Sequence, residues 1–319
     1  MFNFQALSIL LAISLPCLAM AQDKKKPVAK EAAATAAPLS AKPATDEADQ
    51  VITNRRLRAE TGSLSKWSGS LFFNYSGGNL ADPLKPERRN ILGAADALEL
   101  QNFYADLGVR YRITSLDSIT ASAGVFVSTP FHTTIDHDRA NREDFEKNKQ
   151  EVTVSDPALK YTHLDRFLGM QSVTTLGATL ITNPEQTKAG YDASYVISQT
   201  FMKEFGKSGL SLGASLEWLK YTFSKTDRSL AENVPALYPV AEYVLNDMFN
   251  LRTVFGWQVY QQTREQDHDT YTKRKVYQSV GLGISLSRDV FLYPNIQFIP
   301  SDLRSDRTNI AISENVNVF

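Results

Sequence analysis

The chain has 319 residues, a formal net charge of −1 and 22% charged residues. This balance excludes the basic surface that nucleic-acid binding requires, so no nucleic-acid partner is expected. It does not separate a soluble protein from a transmembrane β-barrel, because only alternate residues of a barrel strand face lipid.

The chain opens with the apolar stretch "MFNFQALSILLAISLPCLAMA", which ends in Ala19-Met20-Ala21. A short apolar run followed by a small-x-small site predicts a signal peptide over residues 1–21, cut before Gln22. An N-terminal anchor helix is the alternative, but the run is shorter than the ~20 residues that spanning needs. The single cysteine, Cys17, would leave with this peptide; a lipid-anchoring cleavage at Cys17 is the other alternative, which the neighbouring Pro16 fits poorly.

Residues 22–50 are rich in Ala, Pro, Lys and Thr and carry hardly any large apolar groups. Such a segment cannot offset its ordering entropy, so it is predicted to be a flexible periplasmic tether. A short helical segment is predicted over residues 51–64, with Gly62 as its stop. Two interpretations are open for its arginines: a solvated turn of helix, or a candidate plug lodged in the mouth of a barrel. The arginines are Arg55, Arg56 and Arg58.

From Trp67 onward the sequence alternates with a period of two. In "SITASAGVFVSTP", for example, Ile119, Ala121, Ala123, Val125 and Val127 share one face. Twelve such runs are predicted, near 65–76, 99–113, 117–130, 152–165, 170–183, 190–204, 209–226, 235–245, 248–263, 272–287, 289–299 and 307–319. The connections between them alternate between short and longer segments, as in outer-membrane barrels.

The polar face of these runs carries many Gly, Ser and Thr residues, and many runs are long enough to cross a bilayer at a tilt. The fold class predicted is therefore all-β: a transmembrane antiparallel up-and-down β-barrel of twelve strands over residues 65–319. Its expected location is the bacterial outer membrane, with membrane lipids and the barrel-assembly machinery as partners. In the last run, Phe319 is out of step with the apolar row of Val318, Val316, Ile312 and Ile310, which Glu314 interrupts.

Charged and polar side chains on the other face are candidate pore-lining groups. They are Tyr104, Asp106, Arg110, Arg112, Lys160, Asp192, Glu217, Arg252 and Gln258. Because both signs of charge are present, an open lumen is expected to select weakly between anions and cations. In the alternative interpretation these groups pair with one another and fill the barrel nearly shut.

The four histidines match no compact ligand motif. His132 and His137 lie in a long acidic loop, but a zinc site needs three or four convergent ligands. His163 lies next to a short turn, in the wrong leaflet for the outer-rim lipid hydrolysis that a His–Ser pair would support. No metal, no cofactor and no enzymatic activity are predicted.

The signal peptide, tether, alternating runs and terminal Phe319 together resemble bacterial outer-membrane β-barrel proteins. The stretch "VSDPALKY" (154–161) is similar to strands of small channel-type barrels, and residues 52–78 resemble the start of barrels from predatory bacteria, some of them ring-shaped oligomers. The resemblance implies a narrow, weakly selective passive channel for small hydrophilic solutes. The alternative is a closed structural or homo-oligomeric membrane protein that works through its outer surface.

Overall fold

The computed structural model describes residues 46–91, 98–132, 152–224, 231–263 and 271–318. Within these ranges lie three short α-helices, α1 (Glu47–Val51), α2 (Arg55–Thr61) and α3 (Pro184–Ala189). The strands are β1 (Trp67–Asn79), β2 (Glu87–Arg89), β3 (Leu98–Leu100), β4 (Asn102–Arg112), β5 (Asp117–Ser128), β6 (Val152–Phe167), β7 (Met170–Leu180), β8 (Tyr191–Glu204), β9 (Leu210–Phe223), β10 (Ala231–Val244), β11 (Phe249–Gly256), β12 (Gln258–Thr263), β13 (Thr272–Lys273), β14 (Tyr277–Ser285), β15 (Val290–Phe298) and β16 (Asn309–Val318).

The sheet closes on itself. Strand β1 pairs with β4 on one side and with β16 on the other, and every barrel pairing is antiparallel. Strands β11 and β12 are two halves of one barrel strand, since both pair with β10. The predicted closed barrel of twelve antiparallel strands is therefore confirmed. In the part of the chain that the structure describes, β1, β4–β12 and β14–β16 each pair with a neighbour on both sides, so their backbone groups are satisfied as a bilayer requires.

Alternate residues separate an apolar outer face from a polar inner face. On β4, the side chains of Leu107 and Val109 are about half exposed. The side chain of the next residue, Arg110, points inward and is buried. Three tryptophans are exposed on the outer surface: Trp67, Trp218 and Trp257. An outer wall of exposed aliphatic and aromatic groups is the surface that lipid covers. No helix of the described residues is long and apolar enough to span a membrane.

The two ends of the barrel differ in the length of their connections. Five short turns lie at one end, the short-turn end: residues 113–116, 168–169, 205–209, 245–248 and 286–289. Longer connections lie at the opposite, long-loop end. There the structure has two elements that were not predicted, the hairpin of β2 and β3 and the helix α3.

The helical region before the barrel begins at an earlier residue than predicted. Helix α1 begins at Glu47, inside the stretch that was predicted to be a tether up to residue 50. Helix α2 falls within the predicted helical segment 51–64, and Gly62 follows it with a φ of 96°. The signal peptide, the tether up to residue 45, Cys17 and Phe319 lie outside the described residues.

The stretch "VSDPALKY" contains a bulge in β6. Asp156 has a φ of 57°, and the register with β5 shifts between Ser122 and Gly124. The Asp156 carboxylate accepts hydrogen bonds from the backbone N–H groups of Thr182 (2.8 Å) and Asn183 (3.0 Å). These bonds hold the left-handed residue in place and explain the aspartate at this position.

Replacing Gly281 by alanine is expected to destabilise the barrel by about 1–3 kcal/mol. A Cβ atom there would lie 2.2 Å from the carbonyl oxygen of Pro294, and this backbone group of β15 cannot move aside alone. Gly69→Ala is the matched control, since its Cβ would meet only a side-chain methyl of Val318 within 3 Å. Urea unfolding in micelles, followed by tryptophan fluorescence, measures the difference; equal midpoints for both variants would contradict it.

Candidate functional site: the barrel lumen and its short-turn mouth

An N-terminal helical segment, residues 47–62, lies inside the short-turn mouth of the barrel. Its apolar side chains Ile52 and Leu57 are each 1% exposed. They form one cluster with the buried, inward-pointing side chains Leu164, Met202 and Val240, which come from β6, β8 and β10. Side chains from three non-adjacent strands therefore belong to the same cluster as Ile52 and Leu57, so the segment occupies the mouth and does not merely lie beside it.

Polar contacts tie this segment to residues at or next to all five short turns. Arg55 forms an ion pair with Asp247 at 3.0 Å, and Arg288 forms one with Asp49 at 2.9 Å. The other contacts join Glu47 to Ser115, Arg166 to the carbonyls of Gln50 and Val51, Thr53 to Glu204, and Arg288 to the carbonyl of Gly62. The segment is thus anchored around the whole rim.

A buried network of hydrogen bonds holds the start of α2 against the barrel wall. Asn54 caps the helix by accepting from the N–H of Leu57 (3.1 Å) and donates from Nδ2 to Glu242 Oε2 (2.7 Å). Glu242 is 2% exposed and also accepts from Arg252 Nε (3.0 Å). Gln171 Oε1 accepts from the backbone N–H groups of both Thr53 and Asn54, each at 2.8 Å. Removing one partner of such a buried charged pair is strongly destabilising, because it leaves a buried charge uncompensated.

The three arginines of the candidate plug have different partners. Arg55 reaches the wall through Asp247, whereas Arg56 pairs with Glu60 of the same helix. Arg58 donates to the carbonyls of Ile52 and Asp49 and so braces the segment internally. The buried lumenal carboxylate of Glu242 is bound by Asn54 and by none of the three predicted arginines.

Most of the candidate pore-lining residues lie on the inner face. On β4, Arg110 donates to the carbonyl of Glu60 (3.1 Å) and Arg112 to that of Leu64 (2.7 Å), so both face the N-terminal segment and its exit. Further from the short turns, Asp106 forms an ion pair with Lys160, and Tyr104 lies beside the ring of Phe72. Arg252 stacks over the Tyr293 ring at 4.7 Å, in addition to its bond to Glu242. Glu217 shares the inner face of β9.

Two candidates lie at bulges that disturb the alternation. Gln258 pairs with Leu237, which belongs to the outward row of β10. The prediction that Gln258 lines the pore is therefore wrong, because the interruption at Trp257 shifts the phase by one residue. Asp192 lies where the register of β8 shifts between Tyr191 and Ala193, so the alternation does not determine its direction.

A small cavity separates the N-terminal segment from the wall formed by β4, β5 and β6. It holds about 20 Å³, which is room for about one water molecule. Its lining includes Thr61, Arg110, Arg112, Leu164 and Arg288. The N-terminal segment therefore leaves a cavity in the short-turn mouth that has room for about one water molecule.

At the long-loop end, the hairpin of β2 and β3 turns in against β15 and β16. Arg88 is 3% exposed; it pairs with Glu99 (3.0 Å) and donates to Gln297 on the inner face of β15 (2.9 Å). Ile91 packs against Ile299, with Tyr277 beside both. The two mouths of the barrel are therefore both narrowed, by different parts of the chain.

The described residues contain no group of three or more His, Cys, Asp or Glu side chains that could hold a metal ion. His137 and His268 lie outside these residues. His163 Nδ1 is hydrogen-bonded to Asp117 (2.8 Å), which also accepts from the hydroxyl of Tyr161 (2.5 Å). A serine was the partner considered for a catalytic His163, and the observed partner is the carboxylate of Asp117.

No protein-family model and no curated protein matches the chain. Among solved structures, an outer membrane channel from Pseudomonas putida F1 is similar over 81% of this chain and 97% of its own, with 10% identity and a TM-score of 0.51. The NanC porin covers 79% of this chain and 98% of its own (10% identity, TM-score 0.42). LpxR from Salmonella typhimurium covers 78% and 99% (12% identity, TM-score 0.38).

The chain thus has the fold of bacterial outer-membrane β-barrel proteins and is an integral outer-membrane protein. The prediction that it is not an enzyme has to be withdrawn. One barrel fold carries many different functions, so the fold by itself does not exclude catalysis, and it assigns no activity either.

Proposed function

We propose that the protein is a narrow passive channel for small hydrophilic solutes, and that its conductance is limited by the N-terminal segment. The observation that carries the proposal is the docking of residues 47–62 inside the mouth of a closed barrel with a polar inner face. A barrel of twelve strands lies between the side-chain-filled eight-stranded type and the open porins of sixteen strands. If wall side chains already filled the lumen, there would be no space for an inserted segment. The docked segment therefore supports a lumen that is otherwise open.

The chemistry of the docking supports a limited and reversible closure. The segment is bound by hydrogen bonds and ion pairs around the rim, several of them exposed, and by one small apolar cluster. Exposed ion pairs contribute little, typically ~0–1 kcal/mol each. The buried hydrogen bonds that Asn54 and Arg252 donate to Glu242 are therefore the main specific interaction that holds the segment in the mouth.

Planar-bilayer recording of the purified full-length protein tests the proposal. Discrete conductance steps smaller than those of a sixteen-stranded porin are expected, with low selectivity between potassium and chloride, because lumenal charges of both signs are paired. No steps over a wide range of voltage and protein concentration, for the parent and for a variant whose segment is released, would overturn it.

A second candidate function is a structural or oligomeric role of the outer surface. Glu314 favours it: its neighbours Phe73 and Leu292 in the adjoining strands belong to the outward apolar rows, yet Glu314 is 8% exposed. A carboxyl group in the lipid-facing wall is expensive and is usually kept for a partner, here a second copy of the barrel. Native mass measurement in mild detergent tests this; a parent protein that is monomeric throughout would count against it.

A further inference from the structure

Arg110 is a buried cation to which the barrel wall gives no counter-charge; it is 8% exposed. Among the described residues it forms no ion pair and donates only to neutral groups, the hydroxyl of Thr120 (3.1 Å) and the carbonyl of Glu60 (3.1 Å). Within the same ranges its Nη1 atom has no hydrogen-bond partner. Burying a charge that nothing neutralises is costly, so a guanidinium in this position favours a bound anion.

The charged side chains around Arg288, on the same rim, neutralise one another. Arg288 forms ion pairs with Asp49 (2.9 Å) and Asp289 (2.7 Å). Asp49 also pairs with Arg58 at 3.6 Å, so two guanidinium groups and two carboxylates form one balanced group. This group therefore leaves no carboxylate over for Arg110.

Arg110 and Arg288 both contact the part of the N-terminal segment that lines the cavity in the short-turn mouth. A Cβ atom on Gly62 would overlap Nη1 of Arg110, so the guanidinium packs directly against this glycine. Nη1 of Arg288 donates to the carbonyl of Gly62 (2.6 Å). Gly62, Arg110, Arg288 and Arg112 all belong to the cavity wall. Three positively charged side chains thus border one cavity of about 20 Å³.

The other polar groups of the cavity wall also favour an anion. Ser118 lines the cavity and is 7% exposed, and its hydroxyl forms no hydrogen bond with the described residues. Asp117 is the only acid among the described lining residues, and its carboxylate is bound elsewhere. It accepts from the hydroxyls of Tyr161 (2.5 Å) and Thr114 (2.6 Å) and is hydrogen-bonded to His163 (2.8 Å). The cavity therefore offers a hydroxyl donor and positive charge.

We propose that this cavity binds one chloride ion. The volume admits about one water molecule, and a chloride ion is only slightly larger, whereas sulfate and phosphate are too large to enter. A water molecule could fill the same volume but would leave the charge of Arg110 unneutralised. The ion accepts from the hydroxyl of Ser118 and lies beside the guanidinium of Arg110, so a donor and a counter-charge act together.

Chloride at this site also strengthens the docking of the N-terminal segment, because the segment and the barrel each contribute part of the cavity wall. Thr61 and Gly62 come from the segment, whereas Arg110 and Ser118 come from β4 and β5. A ligand that binds only the docked state favours that state about tenfold when its concentration is ten times its Kd. The inference thus adds an anion-dependent closure to the proposed channel, while the ion site itself does not depend on conductance.

Equilibrium dialysis with radioactive chloride in sodium gluconate buffer tests the site, using the full-length protein in detergent. We expect saturable binding of about one chloride per chain, since the cavity has room for a single small ion. Bromide should compete for the site and sulfate should not. The absence of saturable binding, or competition by sulfate as strong as that by bromide, would overturn the proposal.

Two substitutions in the cavity wall and one control locate the bound ion. Arg110→Gln removes the charge and is expected to weaken chloride binding at least about tenfold. Ser118→Ala keeps all three arginines of the wall and is expected to weaken binding several-fold. Arg166→Gln is the matched control, because Arg166 donates to the segment carbonyls of Gln50 and Val51 but does not line the cavity. This control should bind chloride as the parent does; equal binding by the parent, Arg110→Gln and Ser118→Ala would contradict the site.

Trypsin digestion in sodium chloride and in sodium gluconate of equal ionic strength measures the effect of the ion on docking. The parent is expected to be cut at Arg55, Arg56 or Arg58 several-fold more slowly in chloride, because the ion holds the segment in the mouth. Arg110→Gln should be cut equally fast in the two salts, and it also reports any effect of the anion on trypsin itself. Equal rates for the parent in both salts would show that chloride does not hold the segment. Bilayer recordings test the channel separately: a lack of conductance steps would contradict the channel and leave chloride binding unaffected.

Discussion

Glu242→Ala is expected to release the N-terminal segment from the short-turn mouth and to raise the conductance of the barrel. The substitution removes the acceptor of Asn54 Nδ2 and of Arg252 Nε and leaves Arg252 buried without its carboxylate. Breaking a buried pair on one side typically costs about 3–5 kcal/mol. The barrel can recover much of this if the segment leaves, because water then reaches Arg252.

The expected shift of the docking equilibrium is on the order of 10²- to 10³-fold toward the released state. Two measurements report it. Bilayer recordings should show larger or longer open steps, and limited trypsin digestion should cut at Arg55, Arg56 or Arg58, which are only partly exposed in the docked segment.

Glu204→Ala is the matched control for this variant. Glu204 also bonds the segment, through the hydroxyl of Thr53 at 2.9 Å, but the contact is exposed. Its loss should change trypsin sensitivity and conductance little. If Glu242→Ala is cut faster than Glu204→Ala but conducts like the parent, the segment does not limit the channel. If it is cut no faster, the bond between Asn54 and Glu242 does not hold the segment in the mouth.

The barrel itself could be predicted from the sequence because its signal is periodic. Inward and outward positions alternate over almost every strand, so the number, order and approximate bounds of the strands follow from local patterns. The failures occur where one extra residue interrupts the pattern. Gln258 lies on the outer face and not on the predicted inner face, because the interruption at Trp257 shifts the alternation of inward and outward residues by one. No composition signal marks this interruption.

The site was harder to predict because its contacts are distant in sequence. The arginines of the helical segment attracted attention as charges, yet the buried bond to the wall comes from Asn54, 188 residues before Glu242. A cap residue before a helix is a local signal, whereas its second bond depends on how the segment enters the barrel.

Arg88→Ala is expected to free the long-loop hairpin and widen the opposite mouth. Arg88 is almost fully buried, pairs with Glu99 at 3.0 Å, and donates to Gln297 at 2.9 Å and to the carbonyl of Gly77 at 3.3 Å. Losing one partner of such a pair costs about 3–5 kcal/mol locally. The barrel wall should survive, since the hairpin contributes no strand to it.

Arg304→Ala is the control that separates this effect from a general loss of charge. Arg304 lies at the same end and pairs with Asp302 at 3.0 Å, but its side chain is half exposed, so its pair contributes ~0–1 kcal/mol. Digestion of both variants with chymotrypsin, which cuts after apolar residues such as Leu98 and Leu100, measures the release of the hairpin. We expect rapid cleavage and larger conductance steps for Arg88→Ala alone; similar cleavage rates in the two variants would mean that Arg88 does not hold the hairpin, and that the long-loop mouth is narrowed by the apolar packing of Ile91 instead.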